Sequence, residues 1–165
     1  MPLDTIDAIS HFKSIYNNCR SFHKHVRELK QHQSILSAHV IGLSKSRLCL
    51  KDDSRDYSIE GFNLVRNDQI MTSNLVRSSH GSVVYLRNDV DIDVKHKFNT
   101  NYLELTVIDC HHALIDMQVV VVYKSPGTSY ETLARKLESE LFPHVNKSKP
   151  IVVVGDFNIG RPVYY

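Results

Sequence analysis

Three short stretches place polar side chains where apolar runs end, and each could meet a phosphate or a cation. In Gly155-Asp156-Phe157-Asn158 a carboxylate and an amide lie two residues apart, directly after Ile151-Val152-Val153-Val154. Extended backbone turns such a pair to one side. Asp156 and Asn158 would then offer hard oxygen donors suited to Mg²⁺ and its waters. The Asn158 amide could also donate to a phosphate. The competing reading is a turn, since Gly, Asp and Asn are common turn residues, and on these four residues alone the turn is favoured. Tyr123 closes a second apolar run. A phenol there can donate to a phosphate oxygen or simply pack at a sheet edge, and in isolation packing is the better reading. Asn18, in Asn18-Cys19-Arg20-Ser21, is the third such residue. A cap or turn role ahead of a helix accounts for it at least as well as a function.

Polar groups at strand tips need rigid elements behind them. Lys13 to Asn18 reads as a first strand. From His23 to Ser37 the pattern turns helical, with Val26, Leu29 and Leu36 near one face. His39 to Leu43 reads as a buried strand. Four further strands are predicted over Gly81 to Arg87, Asp91 to Phe98, Tyr102 to Ile108 and Ile115 to Tyr123. Their β-branched runs suit sheets, and the unbroken run Val119 to Val122 suits a strand covered on both faces. Ser125-Pro126-Gly127 breaks the pattern. Thr128 and Glu131 have capping-box spacing ahead of Leu133, Leu137 and Leu141, with Pro143 close behind. Ile151 to Val154 is the last strand. Consecutive strands imply antiparallel pairing and the flanking helices imply crossovers. The expected class is α/β in the α+β sense, a sandwich with helices outside.

Composition sets the limits. The 165 residues suffice for one domain and not for two, and 42% hydrophobic with 23% charged residues is an ordinary globular balance. A net charge of +2 neither demands nor excludes a nucleic-acid partner. Cys19, Cys49 and Cys110 form no CxxC pair and are odd in number, so reduced thiols in an intracellular protein are expected. Met1 to Ser10 lacks the basic start and apolar run of a signal peptide. No apolar stretch approaches the roughly 20 residues a membrane helix needs. The Cys and His spacings match no metal-ligand pattern, and most histidines, including His111 and His112 between strands, read as surface groups.

Taken together, Asn18-Cys19-Arg20-Ser21, Val40-Ile41-Gly42-Leu43-Ser44, Val122-Tyr123 and Gly155-Asp156-Phe157-Asn158 occur in an order that resembles the endonuclease/exonuclease/phosphatase family. The wording is most similar to the endonuclease domains of mobile elements, the non-LTR retrotransposons and Helitron-like transposons. The resemblance runs from the first strand to the end of the chain. It implies two β-sheets with helices outside and a cleft at one edge. It also implies Mg²⁺- or Mn²⁺-dependent phosphodiester cleavage in nucleic acid, DNA ahead of RNA, and through mobile-element ancestry a nuclear site. By position, Asn18 would orient the metal or phosphate, Tyr123 would contact the phosphate, Asp156 would orient or activate water, and Asn158 would help stabilise the transition state.

Two departures bear on activity. The family carries a metal-binding Glu after its second strand, where this chain has Lys45. An ammonium has no lone pair for a cation. At an effective dielectric near 20, each unit-charge pair about 4 Å apart is worth about 4 kcal/mol, so this swap should weaken metal binding by orders of magnitude. The family also ends in a segment with an Asp and a His that supply its general base, whereas only Arg161 to Tyr165 follow Gly160 here. The expectation is one truncated domain over residues 1–165, with a lead-in over 1–12, that is weakly active or inactive. Marginal stability, an oligomer or a covering partner would follow from missing strands. The alternative is a non-catalytic domain or relic that binds nucleic acid, with Lys45, Arg20, Lys24 and Arg47 on phosphates.

Overall fold

Alternating apolar side chains build two four-stranded sheets whose inner faces pack on each other. A computed structural model describes residues 12–69, 80–113 and 115–158. The lead-in through residue 11 and the stretch from Arg161 to Tyr165, on which the expectation of truncation rests, lie outside the described residues. One sheet has the order β1 (Ser14–Asn18), β2 (Val40–Ser44), β4 (Ser82–Arg87), β3 (Phe62–Asn67). The other runs β5 (Asp91–Asn99), β6 (Leu103–His112), β7 (Ile115–Lys124), β8 (Ile151–Asp156). β1 pairs parallel to β2 and β7 parallel to β8, while all other pairs are antiparallel.

Side-chain period two divides each strand between layers. Val40, Val84 and Leu86 meet Ile108, Val119 and Val121 between the sheets. On the outer face of the first sheet, Ile41, Leu43, Val83 and Tyr85 pack under α1 (Phe22–Gln31) through Phe22 and Leu29. On the outer face of the second, Leu105, Val107, Val120 and Val122 pack under Leu133, Leu137 and Leu141. These three leucines span α3 (Tyr130–Lys136) and the wide turn Leu137–Leu141 that continues it. The result is the expected four layers, helix, sheet, sheet, helix.

Local differences from the sequence reading have physical causes. The helix expected over His23 to Ser37 is two, α1 and α2 (Gln33–Leu36). At His32 ψ swings to 83° and its N–H bonds Leu29 O three residues back, which ends α1. The cap of α3 is Ser129, whose hydroxyl accepts from Thr132 N–H at 3.1 Å, while the Thr128 hydroxyl donates to Tyr102 O instead. Strand β3 has no counterpart in the sequence reading, because its polar Asn63, Arg66 and Asn67 hide the alternation. His111 and His112 belong to β6, paired with Asp116 and Ile115, rather than lying between strands. The three cysteines are free. Among the described residues no helix is long and apolar enough to cross a membrane.

At Gly155 no side chain fits: a Cβ there would lie 2.1 Å from Val122 O. The close approach lets β8 seat against β7 immediately before Asp156. Beyond that seam the outer face of β8 leaves Ile151 and Val153 exposed, at 40% and 48%.

Candidate phosphate-binding cleft

Strand register brings the candidate residues to one end of the sandwich. Asn18 is level with Ser44, Ser44 with Ser82, and Ser82 with Asn67. In the other sheet Glu104 is level with Tyr123 and Tyr123 with Asp156. Register partners share a face, and both rows continue the inward sets (Val40, Val84 and Val65; Ile108, Val121 and Val154). The rows therefore face each other at the mouth. They are latched at both sides. Asn18 Nδ2 donates to Asp156 Oδ2 at 2.9 Å. At the other side Asn67 Nδ2 donates to Leu105 O at 2.8 Å and Asn99 Nδ2 to Asn67 O at 2.9 Å.

Tyr123 is 2% exposed, with Lys45 Nζ above its ring, 5.3 Å from the centroid. An ammonium over a phenol ring is a favourable cation–π arrangement. The His80 ring lies against the same tyrosine, with centroids 5.9 Å apart. Burial, and then the charge of Lys45, hold the His80 pKa below its ordinary value. Tyr16 reaches the same row from β1, lying across Gly42, where a Cβ would come within 3.1 Å of its ring. Burial raises its phenol pKa, and Asp156 and Glu104 both add to the shift, so its hydroxyl lies within electrostatic reach of both carboxylates.

Asp156 and Asn158 do not share one side. The strand ends at Asp156, and Asn158 takes a left-handed φ of 42°. Its N–H donates to Asp156 Oδ1 at 3.1 Å, and its side-chain Nδ2 turns back to Lys124 O at 2.6 Å. This is the turn chemistry weighed in the sequence, and it fixes the Asp156 carboxylate. Arg20 (φ 52°), Lys45 (52°) and Arg47 (60°) are left-handed as well. Four of the five described non-glycine residues with left-handed backbone thus lie at this end, the fifth being Ala113 in the turn between β6 and β7. The loop of Lys45 is tied down, since Ser46 N–H donates to Gly81 O and Arg47 N–H to His80 O, at 2.8 and 2.9 Å. Arg20, Lys24 and Arg47 are exposed. Arg20 and Asn18 border a cavity of about 420 Å³ between β1 and α1, floored by Phe22 and Leu29.

One member of the row is absent from the sequence reading. Glu104 is 1% exposed, accepts Gly81 N–H on Oε1 at 2.7 Å, and keeps Oε2 buried beside Ser82. Burial pushes its pKa up to about 7, against the Gly81 N–H, Ser82 and Lys45. In Tyr102-Leu103-Glu104-Leu105 a Glu reads as an outward polar position of an alternating strand. Only the cover of the second sheet by α3 shows that its partners Leu103 and Leu105 face out and Glu104 faces in.

The cleft residues do not fit a divalent ion well. Asp156 is already bonded on both oxygens by Asn18 and Asn158, Asn18 Oδ1 accepts from Arg20 N–H at 3.3 Å, and Lys45 brings an ammonium to the mouth. At the opposite end His39, Asp89 and His112 bring ligand atoms within 4.8 Å of one another, a group that sequence spacing does not reveal. Some of its ligand atoms are engaged. His39 Nδ1 accepts Lys13 N–H at 3.0 Å, and Arg87 donates to both Asp89 oxygens at 2.7 and 2.6 Å.

The sequence matches no protein-family model and no curated protein. Solved structures do match. An endonuclease/exonuclease/phosphatase family protein from Bacteroides thetaiotaomicron is 13% identical, with 90% of this chain and 62% of that one covered at a TM-score of 0.58. The human Nocturnin catalytic domain with bound sulfate is 13% identical, covering 92% and 65%, at 0.59. The endonuclease domain of TRAS1, a telomere-specific non-LTR retrotransposon, is 14% identical, covering 91% and 60%, at 0.54. The chain spans 60 to 65% of the length of these structures. At such identities the likeness is one of fold, and the fold of this chain is that of the endonuclease/exonuclease/phosphatase family.

Proposed function

We propose that the cleft binds the phosphodiester backbone of nucleic acid, DNA ahead of RNA, and that cleavage is weak or absent in this chain. The observation that carries this reading is Lys45, whose ammonium stands over Tyr123 at the mouth. The family that the sequence resembles carries a metal-binding Glu at this position. Here it supplies positive charge without a metal, as a phosphate requires, and Arg20, Lys24 and Arg47 extend that charge along the exposed loops and α1. Mobile-element ancestry, and with it a nuclear site, is part of the proposal. Its support is the sequence wording and the likeness to the TRAS1 domain.

Two assays on the purified chain test it. Binding to a duplex oligonucleotide should be saturable at low salt and fall steeply as salt rises. Supercoiled plasmid in Mg²⁺ or Mn²⁺ should stay intact, and should do so equally with Asp156→Ala. Nicking lost in that variant would establish an active endonuclease in place of a binding domain. Absence of binding at low salt would leave only a relic. A covering partner or second copy is proposed for the β8 face that exposes Ile151 and Val153, and sedimentation of the purified chain reads it directly.

A further inference from the structure

Glu104 is a buried carboxylate that the phosphate-binding role leaves unused. Its geometry ties it to Lys45. Glu104 Oε1 holds Gly81 N–H, and Gly81 O holds Ser46 N–H, the residue after Lys45. The Lys45 ammonium stands over Tyr123, which is the register partner of Glu104. One short turn, His80-Gly81, thus fixes both charges on the same side of the mouth. Glu104 Oε2 and the neighbouring Ser82 Oγ are both buried, and Ser82 favours the carboxylate as a hydrogen-bond donor.

We propose that Glu104 is the internal counter-charge of Lys45, and that its protonation sets how strongly the cleft holds a phosphodiester anion. As a carboxylic acid it leaves the ammonium uncompensated and open to an oxyanion. As a carboxylate it draws on the field of the ammonium and repels the incoming phosphate. The inference rests on the phosphate-binding reading above.

The titratable and charged groups that share the mouth with Glu104 are Tyr16 of β1 and Cys19 just after it, Lys45 after β2, His80 before β4, Tyr123 of β7 and Asp156 of β8, with Arg47 next to Cys19 and the uncharged Asn67 from β3. Burial raises Tyr16, and burial raises Cys19 to about 11, so neither changes charge near neutrality. His80 is held below the ordinary histidine value by burial and by Lys45, so its charge is lost at lower pH. Burial places Glu104 at about 7. Between about pH 6.5 and about pH 8.5 the change of charge expected from these shifts is that of Glu104.

The test is anisotropy of a labelled duplex oligonucleotide with the whole chain at one low ionic strength, across that pH range. Wild-type affinity should fall about tenfold as pH rises. Glu104→Gln keeps an oxygen for Gly81 N–H and should bind at the alkaline end as tightly as wild type does at the acid end. Lys45→Met should bind weakly at every pH. A wild-type pH slope that persists in Glu104→Gln overturns the inference and leaves phosphate binding intact. No binding by wild type at any pH overturns the phosphate-binding reading and this inference with it. Carbon-13 NMR of the Glu104 carboxyl gives a second readout that needs no ligand: its midpoint should rise in Lys45→Met, and an unmoved midpoint overturns the coupling.

Discussion

Asn18 Nδ2 donates to Asp156 Oδ2 at 2.9 Å, joining the tips of the first and last described strands across 138 residues of sequence. The bond crosses from one sheet to the other, so it reports whether the mouth of the sandwich is closed. It also removes a carboxylate oxygen from competition for other donors.

Asn18→Ala should therefore loosen the mouth. A half-buried, charge-assisted hydrogen bond of this kind contributes about 1 to 3 kcal/mol. Urea unfolding should show a loss in that range, and hydrogen exchange should quicken at the end of β8 before it does in β6. An unchanged midpoint would mean that the latch is incidental to stability.

Lys45→Glu should reverse the character of the cleft. It removes the cation over Tyr123 and places a carboxylate among Asp156 and Glu104. Oligonucleotide affinity at low salt should drop by at least about tenfold. Saturable Mn²⁺ stabilisation, read as a rise in Tm, should appear where wild type shows none. If wild type already shows it, the fit of the native cleft to an ion has been underestimated.

Glu104 should make stability depend on pH in a defined direction. Its folded pKa is raised by burial from 4.5 to about 7. A raised value means the stabilising effect is fully present below about 4.5 and is lost as pH rises through about 7. The loss amounts to about 3 kcal/mol at most. Glu104→Gln should remove this slope, so that the variant gains on wild type in urea unfolding above pH 7. A slope that survives the substitution would assign it to another group.

Gly155→Ala should cost about 3 kcal/mol or more, because its Cβ would need to move out of a 2.1 Å contact with Val122 O. The damage should reach the site, since Asp156 follows directly. A variant with wild-type stability would show that β8 can shift away from β7 at little cost.

Much of this arrangement was legible in the residues. Apolar runs located seven of the eight described strands, and the tips carrying Asn18, Tyr123 and Asp156 were found at one end of the sandwich. The turn reading of Asn158 and its functional reading were both open, and the left-handed φ with the bond to Lys124 O decides for the turn. Strand β3 was hidden because its inward Asn67 is polar, serving to bind Leu105 O of the opposite sheet. Glu104 was hidden for a different reason. Alternation tells which residues share a face but not how many faces are buried, and the adjacent Leu103 and Leu105, buried under α3, gave no sign that the Glu104 face is buried too. Nor could spacing join His39 to Asp89 and His112, which meet only through the pairing of β2 with β4 and the length of β6.

The latch between β1 and β8 also constrains the order in which this molecule can form. Contacts that join distant segments close late and slow the search for the native state. During synthesis β1 emerges early, yet Asn18 has no Asp156 to meet until the strand containing Ile151 to Asp156 is made and seated. The sheets can pair and the helices can dock before then. Among the described elements the mouth would be the last part to appear, so its closure would report that these elements have assembled.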